Sequence, residues 1–296
     1  MKKGPFVYCI VTSLLLTPCA ISAAEGEIGI NIQERLLDQN DFVIQQIDRF
    51  SSFKSKQLGY KEQVTSYNQL GKRTTVEEIY TAEQTAETGF VKTVYHFNKK
   101  GENTTIERFI DPSLAETTGI RKTLIHLDSN GLKKRVEMNY TKQEIAQTGI
   151  LKSIYRFRQS GEKQSETYIY TPEQAEKQGY KRSVIAFNRK GNKTSETWTM
   201  NDRYIKKNDI VRIVRNFDEM GFEISQEGYF TKEQAEFQGF YKTVVYRNNA
   251  EKLIKEERFY LPNSRGSKGY YRGVIYYDEN GQPLTEVRYD NEGNRF

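Results

Sequence analysis

The chain has 296 residues, with 45 lysines and arginines against 39 aspartates and glutamates, so its net charge of +6 is only mildly basic. Such a small excess argues against a dedicated nucleic-acid-binding protein, whose basic charge is usually much stronger. Both cysteines, Cys9 and Cys19, lie near the N-terminus, so the sequence after them can form neither a disulfide nor a cysteine-based metal site.

Residues 1–24 have the order of parts of a secretory signal peptide. Lys2 and Lys3 form a charged start, a short apolar run follows, and small residues precede a cleavage site before Glu25. We expect a mature chain that carries a net charge of +4 and is periplasmic or secreted. The apolar run is too short for a membrane span, and no later run is longer, so no transmembrane segment is expected in the mature chain.

Residues 25–58 allow two interpretations. Gly29 and Phe50 fall in register with the repeat described below, which favours a degenerate first copy. The spacing of Ile32, Leu36 and Ile47 also fits an amphipathic helix over residues 31–50. Because the ends of repeat stacks usually need a cap, this N-terminal capping helix is the preferred prediction.

From residue 59 to residue 296 the chain is built of one repeated unit, marked by two series of glycines. The first series is Gly59, Gly89, Gly119, Gly149, Gly179, Gly239 and Gly269, with Asp209 in its one gap. The second series follows twelve positions later, at Gly71, Gly101, Gly131, Gly161, Gly191, Gly221 and Gly281, with Glu251 in its gap. So strict a period of thirty residues predicts eight tandem copies of one supersecondary unit.

Each unit reads as strand, turn, strand and short helix. In the copy over residues 149–178, alternating apolar residues such as Ile150 and Ile154 indicate a first strand, and residues 165–170 indicate a second. In most copies an asparagine or aspartate precedes the turn glycine by three residues, which is typical of a short hairpin loop. Thr171 and Gly179 fit the cap and stop of a brief helix. The predicted fold is therefore mainly β with short helices, an elongated solenoid of eight hairpin–helix units, or nine with the degenerate copy.

The fourth position of the unit is basic in seven of eight copies, with Glu62 as the exception. These residues, here called the basic row, are Lys92, Lys122, Lys152, Arg182, Arg212, Lys242 and Arg272. If the units stack in register, the basic row follows one face and is a candidate site for a polyanion. Every copy also carries a glutamate in its second strand, at Glu77, Glu107, Glu137, Glu166, Glu196, Glu227, Glu257 and Glu286. The preferred interpretation is therefore a set of cross-strand ion pairs with no binding role, and the polyanion site is the alternative.

Other residues offer little chemistry. The 36 tyrosines and phenylalanines recur at equivalent positions such as Tyr60 and Tyr180, which favours packing in a thin core over an exposed binding row. His96 and His126 occupy the same position in adjacent units, but no third ligand recurs beside them. No nucleophile–base motif, phosphate loop or zinc motif occurs, so no metal, cofactor or enzymatic activity is expected.

The C-terminal stretches Tyr276–Leu284 and Tyr289–Gly293 resemble the tyrosine-aspartate repeats of RHS-type proteins, and they are similar in style to MORN-like and antitoxin-type hairpin repeats. This resemblance implies stacked hairpins and carries over no functional residue, because those families have shorter repeats without the threonine-capped helix.

Taken with the signal peptide, the repeat predicts an exported, non-catalytic protein that binds an envelope polymer or a surface protein through an extended sheet face. The alternatives are a structural spacer or assembly factor of the envelope, and a virulence-type or immunity-type protein with one specific protein partner.

Overall fold

The structure is a computed structural model, and it describes residues 30–248, 250, 252–261 and 269–295. The predicted signal peptide at residues 1–24 and the turn residue Glu251 lie outside the described residues. The described strands are β1 (Ile30–Leu37), β2 (Val43–Phe50), β3 (Tyr60–Tyr67), β4 (Arg73–Tyr80), β5 (Phe90–Phe97), β6 (Asn103–Ile110), β7 (Ile120–Leu127), β8 (Lys133–Tyr140), β9 (Ile150–Phe157), β10 (Lys163–Tyr170), β11 (Tyr180–Phe187), β12 (Lys193–Met200), β13 (Ile210–Phe217), β14 (Glu223–Phe230), β15 (Phe240–Arg247), β16 (Leu253–Tyr260), β17 (Arg272–Tyr277) and β18 (Pro283–Tyr289). The described helices are α1 (Ser52–Leu58), α2 (Ala82–Thr88), α3 (Pro112–Thr118), α4 (Lys142–Thr148), α5 (Pro172–Gln178), α6 (Asp202–Asn208) and α7 (Lys232–Gln238).

The strands form one open antiparallel sheet in which each strand pairs with its neighbours in chain order, from β1 to β18. At about 4.8 Å between neighbouring strands, the sheet is about 80 Å long in the stacking direction. The predicted fold class is confirmed: mainly β, with repeated hairpin–helix units in an elongated, solenoid-like arrangement.

The local signals act as the sequence predicts. In the turn after β3, the Asn68 side chain accepts hydrogen bonds from the backbone N–H groups of Leu70 and Lys72, at 3.0 and 3.1 Å. Gly71 completes that turn with a φ of 68°, a left-handed conformation that favours glycine. In α5, the Thr171 side chain caps the helix start by accepting from the Gln174 N–H, and Gly179 ends the helix at a φ of 88°.

The core is thin and its buried side chains are mostly aliphatic, as at Val76, Ile106 and Val244, and several units add aromatic rings where the strands meet the helices. Each unit contributes one residue at the start of its first strand and one at the end of its second, and neighbouring rings pack edge to face. Ring centroids are 5.5 Å apart for Phe50 and Tyr60, and 4.7 Å apart for Tyr260 and Tyr270. The prediction that the recurrent aromatic residues fill the core is confirmed for Tyr260 and Tyr270, which are buried, whereas Phe50 and Tyr60 are only half-buried.

The preferred capping helix over residues 31–50 is wrong. The structure has the hairpin β1–β2 there, followed by α1, so this region has the architecture of a repeat unit. The Asp38 side chain accepts from the N–H groups of Asn40 and Phe42, and Asp41 adopts a φ of 63°, as the glycine does in later turns. Pairing of β2 with β3 extends the sheet, and this tertiary pairing outweighs the local helical spacing.

The copy that departs from the helix signature still folds as the others do. In α6, Asn201 takes the place of the capping threonine and accepts from the Tyr204 N–H at 2.7 Å. Asp209 takes the place of the stop glycine at a φ of 56°. Among the described helices, all seven residues long, none is long and apolar enough to cross a membrane.

Candidate polyanion-binding face

One face of the sheet carries three parallel rows of side chains, here called the basic face. Directly paired residues of antiparallel neighbours project to the same face, as do residues two apart on one strand. The basic row is the first of these, because Lys92 and Lys122 both pair with Phe109, and the same alternation continues along the sheet. Unit positions 6 and 19 form the middle row, and positions 8 and 17 form the third.

The structure therefore brings all seven residues of the basic row onto one face, one on the first strand of each hairpin from β5 to β17. Successive members are two strands apart, which corresponds to about 10 Å. Several of these cations make cation–π contacts with rings in the same row. The Lys92 Nζ lies 4.6 Å from the Phe109 ring centroid, and the Lys242 Nζ lies 4.7 Å from the Phe259 ring centroid.

Five members of the basic row form ion pairs with a glutamate of the preceding strand. The pairs are Lys92–Glu77 at 3.1 Å, Lys122–Glu107, Lys152–Glu137 at 2.7 Å, Lys242–Glu227 at 3.0 Å and Arg272–Glu257 at 3.9 Å. Each pair is diagonal, since the glutamate lies in the middle row, two residues along from the position directly opposite the cation. The predicted ion pairing is confirmed for these five, and Glu62 at the exceptional position pairs instead with Arg49 at 2.8 Å.

Glu137 shows how strongly such a carboxylate is held. Its carboxylate oxygens lie 2.7 Å from Lys152 Nζ, 2.6 Å from Arg135 Nη2 and 3.2 Å from His126 Nε2, and its side chain is only 9% exposed. Burial by itself would raise the pKa of the Glu137 carboxyl, but the hydrogen bond and charge of Lys152, with Arg135 and His126, hold that pKa below its usual value. The positive charge of Lys152 is thus largely neutralised within the protein.

Three glutamates that the sequence placed in the same row lie elsewhere. Relative to the first glycine of the unit, Glu166, Glu196 and Glu286 come one residue earlier than the other five. Because successive side chains of a strand point to opposite faces, this shift puts them on the face opposite the basic row. There Glu166 pairs with Lys163, and Glu196 lies 2.6 Å from Lys193. The prediction of one continuous glutamate row is wrong for these three.

Arg182 and Arg212 consequently differ from the rest of the basic row. The middle-row positions beside them hold Thr167 and Thr197. Arg182 and Arg212 are exposed, whereas the other five members are half-buried. Neither forms an ion pair with a described residue, although the Arg212 guanidinium lies 3.7 Å from the centroid of the Tyr229 ring.

Sequence reasoning missed the other cations of this face, of which Arg49, Arg135 and Lys255 form ion pairs with glutamates. Arg156, in the third row of β9, is exposed, and its side chain contacts no described residue in an ion pair or hydrogen bond. It occupies the position of His96 and His126 in earlier units, so comparison of that position across copies could have found it. The histidines themselves lie beside glutamates, with His96 Nε2 3.4 Å from Glu107. Over the described residues, no three His, Cys, Asp or Glu side chains gather as metal ligands.

No protein-family model matches the chain, and no curated protein matches it significantly. Among solved structures, the chain is similar to TcdB2-TccC3, with 10% identity and a TM-score of 0.17 over 88% of this chain and 20% of that chain. It is also similar to TcdB2-TccC3 without the hypervariable C-terminal region, with 12% identity and a TM-score of 0.15 over 89% and 18%. The chain thus spans about a fifth of the length of these solved chains. TM-scores this low support no conclusion about partner or activity.

Proposed function

We propose that the chain is an exported, non-catalytic repeat protein that binds an anionic polymer of the envelope through its basic face. The observation that carries this proposal is the basic row, in which seven cations share one sheet face and two of them, Arg182 and Arg212, are exposed without a carboxylate partner. A row of equivalent groups suits a repeating ligand, because many weak contacts add up along its length. The signal-peptide pattern at residues 1–24 supports export.

The test is retention of the purified protein on immobilised heparin and on long-chain polyphosphate at low and at high salt. We expect retention at low salt and release at high salt, because contacts to a polyanion displace its counterions. The triple variant Lys152→Gln, Arg182→Gln and Arg212→Gln should be released at lower salt than the native protein. No retention of the native protein on either polymer at low salt would overturn the proposal.

The matched control replaces three cations on exposed helix positions, Lys142→Gln, Lys206→Gln and Lys207→Gln. It lowers the net charge by the same amount and leaves the basic face intact, so its release should match that of the native protein. Equal release of both triple variants would mean that overall charge, and not the basic face, causes retention.

A second candidate function is a structural spacer or assembly factor of the envelope. It is favoured by the five ion pairs, which neutralise most of the basic row inside the protein. A spacer should keep its function when one whole unit, such as residues 119–148, is deleted and a copy of another unit is inserted elsewhere to restore the length. It should also bind neither polymer. Polymer binding by the native protein would exclude a role in which length alone matters.

A further inference from the structure

The centre of the basic face differs from its flanks in a way that affects ligand binding. Between β9 and β13 the three rows contain no carboxylate, because the glutamates of β10 and β12 point to the opposite face. In that segment, which the structure describes in full, Arg156, Arg182 and Arg212 are exposed and have no ion-pair partner. These three arginines are here called the central patch. The flanks hold ion pairs, and the central patch holds unneutralised charge.

The side chains between these arginines are small. Ser165, Thr167 and Ala186 lie in the rows between Arg156 and Arg182, and Ser195 and Thr197 lie between Arg182 and Arg212. None of them is long enough to cover a guanidinium group, and Ser165 and Thr167 are themselves buried, at 8% and 2% exposed. The rows of the basic face from β9 to β13 also lack aromatic rings. The adjoining ring in β14, Tyr229, already contacts two cations, with the Arg212 guanidinium 3.7 Å and the Lys242 Nζ 5.5 Å from its centroid, which leaves little free ring surface for a base to stack on.

The residue types agree with this difference. Four of the five paired cations of the basic row are lysines, whereas the central patch is made of arginines only. An arginine side chain presents a planar fork of donors that can bind two oxygens of one phosphate, whereas a lysine offers a single point charge. Arg182 and Arg212 are two strands apart, about 10 Å, so one small anion cannot bridge them and an extended one can.

We infer that the central patch binds a linear polymer that carries phosphate groups and lacks aromatic bases. This inference rests on the proposed function and deepens it, because it names three arginines as the binding site and phosphate as the anionic group of the polymer. The polymer lies across β9 to β13, with separate phosphates along its chain at Arg182 and Arg212 and a further contact at Arg156. The flanking ion pairs keep the rest of the sheet from competing for it.

The most informative variant gives the centre of the basic face the glutamates that the flanks have. Thr167→Glu with Thr197→Glu restores the middle-row glutamates next to Arg182 and Arg212 without removing any cation. The same position accepts a nearly buried glutamate in other units, as at Glu137 and Glu257, whose side chains are 9% and 10% exposed, so we expect this variant to fold. Its affinity for long-chain polyphosphate should fall about tenfold or more for each arginine that is neutralised.

Two control variants distinguish the effect of pairing the arginines from the effects of added net charge and of side-chain size. Gln143→Glu with Gln147→Glu adds the same two charges at exposed positions of α4, and Thr167→Gln with Thr197→Gln keeps the size without the charge. Both should bind polyphosphate within about twofold of the native protein. For native protein, the slope of log affinity against log salt should be about −2, as expected for about three phosphate contacts to a flexible chain.

Each other outcome has one meaning. If native protein binds polyphosphate and the double-glutamate variant binds it equally well, the central patch is not the binding site, although the proposed function stands. If native protein binds neither polyphosphate nor heparin, the proposed function itself fails. Stronger binding to phosphatidylglycerol vesicles than to polyphosphate would replace the polymer with a membrane surface, and stronger binding to oligo-dT would replace it with single-stranded nucleic acid; either result overturns the inference.

Discussion

The hairpin β7–β8 and the hairpin β9–β10 share one backbone design and differ in where they put their charge. In β8, Glu137 lies on the basic face and gathers Lys152, Arg135 and His126 around its carboxylate. In β10, Glu166 comes one residue earlier in the unit, points to the opposite face and pairs there with Lys163. The backbone register is the same in both, since Ile154 pairs with Glu137 on one side and with Thr167 on the other.

This comparison teaches that a sheet repeat can keep its fold while it moves a charge from one face to the other. Moving a carboxylate by one position changes neither the strand nor its partners, yet it transfers the charge to the other face. The flanking hairpins use glutamate to neutralise the basic row, and the central hairpins leave that row exposed.

The largest expected effect comes from breaking the geometry that both kinds of hairpin share. Gly149 has a φ of 71°, and a Cβ added there would meet the side chain of Gln174 in the next helix. Gly149→Ala should therefore lower the free energy of unfolding by about 2–4 kcal/mol, as the sum of left-handed strain and the clash. Urea denaturation would measure this loss.

The central copy supplies the control for that change, because Asp209 already occupies the equivalent position at a φ of 56°. Asp209→Gly should stabilise the protein by about 0.5–1 kcal/mol, since glycine adopts this conformation without strain. If Gly149→Ala cost no more than a few tenths of a kcal/mol, the left-handed helix stop would not be a requirement of the repeat.

A smaller effect is expected from removing a flank glutamate. Glu137→Gln takes away the carboxylate shared by Lys152, Arg135 and the His126 ring, and it should cost about 2 kcal/mol because Lys152 and Arg135 then face each other without compensation. Glu107→Gln should cost less, since Glu107 serves only Lys122 and His96. Equal costs, measured by urea denaturation at neutral pH, would mean that Arg135 adds nothing to the cluster.

The repeat architecture could be predicted from the sequence because its signals are local. The glycine period, the side chain of Asn68 in the turn and the Thr171 cap each determine a few backbone angles, and the structure has them as predicted. The hairpin at residues 30–50 was missed because its apolar spacing fits a helix as well as a strand. The turn signal at Asp38 and Asp41, in register with Asn68 and Gly71, could have decided for the hairpin.

The candidate site was only partly predictable. The basic row follows from the period alone, but the contrast between its centre and its flanks depends on a difference of one residue. Counting each glutamate from its unit's first glycine separates Glu137 from Glu166, and strand alternation then assigns them to opposite faces. The exposure of Arg182 depends on three-dimensional contacts and could not be read from the sequence.

Acid should weaken the glutamate clusters of the flanks. The pKa of Glu107 and that of Glu137 lie below the usual value. Burial raises both pKa values, but the hydrogen bonds and charges of Lys122 and Lys152 lower them by more than burial raises them. A carboxyl whose pKa is depressed by folding contributes stability that is complete above its unfolded pKa of about 4.3 and is lost as the pH falls through the folded value. Urea denaturation between about pH 7 and pH 3 should show a shallower acid loss for Glu137→Gln than for the native protein. Parallel curves would show that this cluster contributes nothing to the acid sensitivity.

The smallest expected effect is the one that most directly tests the difference between centre and flank. Arg182→Gln should change the free energy of unfolding by no more than about 0.5 kcal/mol, because the Arg182 side chain is exposed and pairs with no described residue. Lys152→Gln should cost about 1 kcal/mol, because it removes a 2.7 Å ion pair from a nearly buried glutamate. Denaturation of both variants side by side would make the comparison within adjacent hairpins of the same sheet. A larger loss for Arg182→Gln than for Lys152→Gln would make Arg182 a structural residue, and the centre of the basic face would then not be available to a ligand.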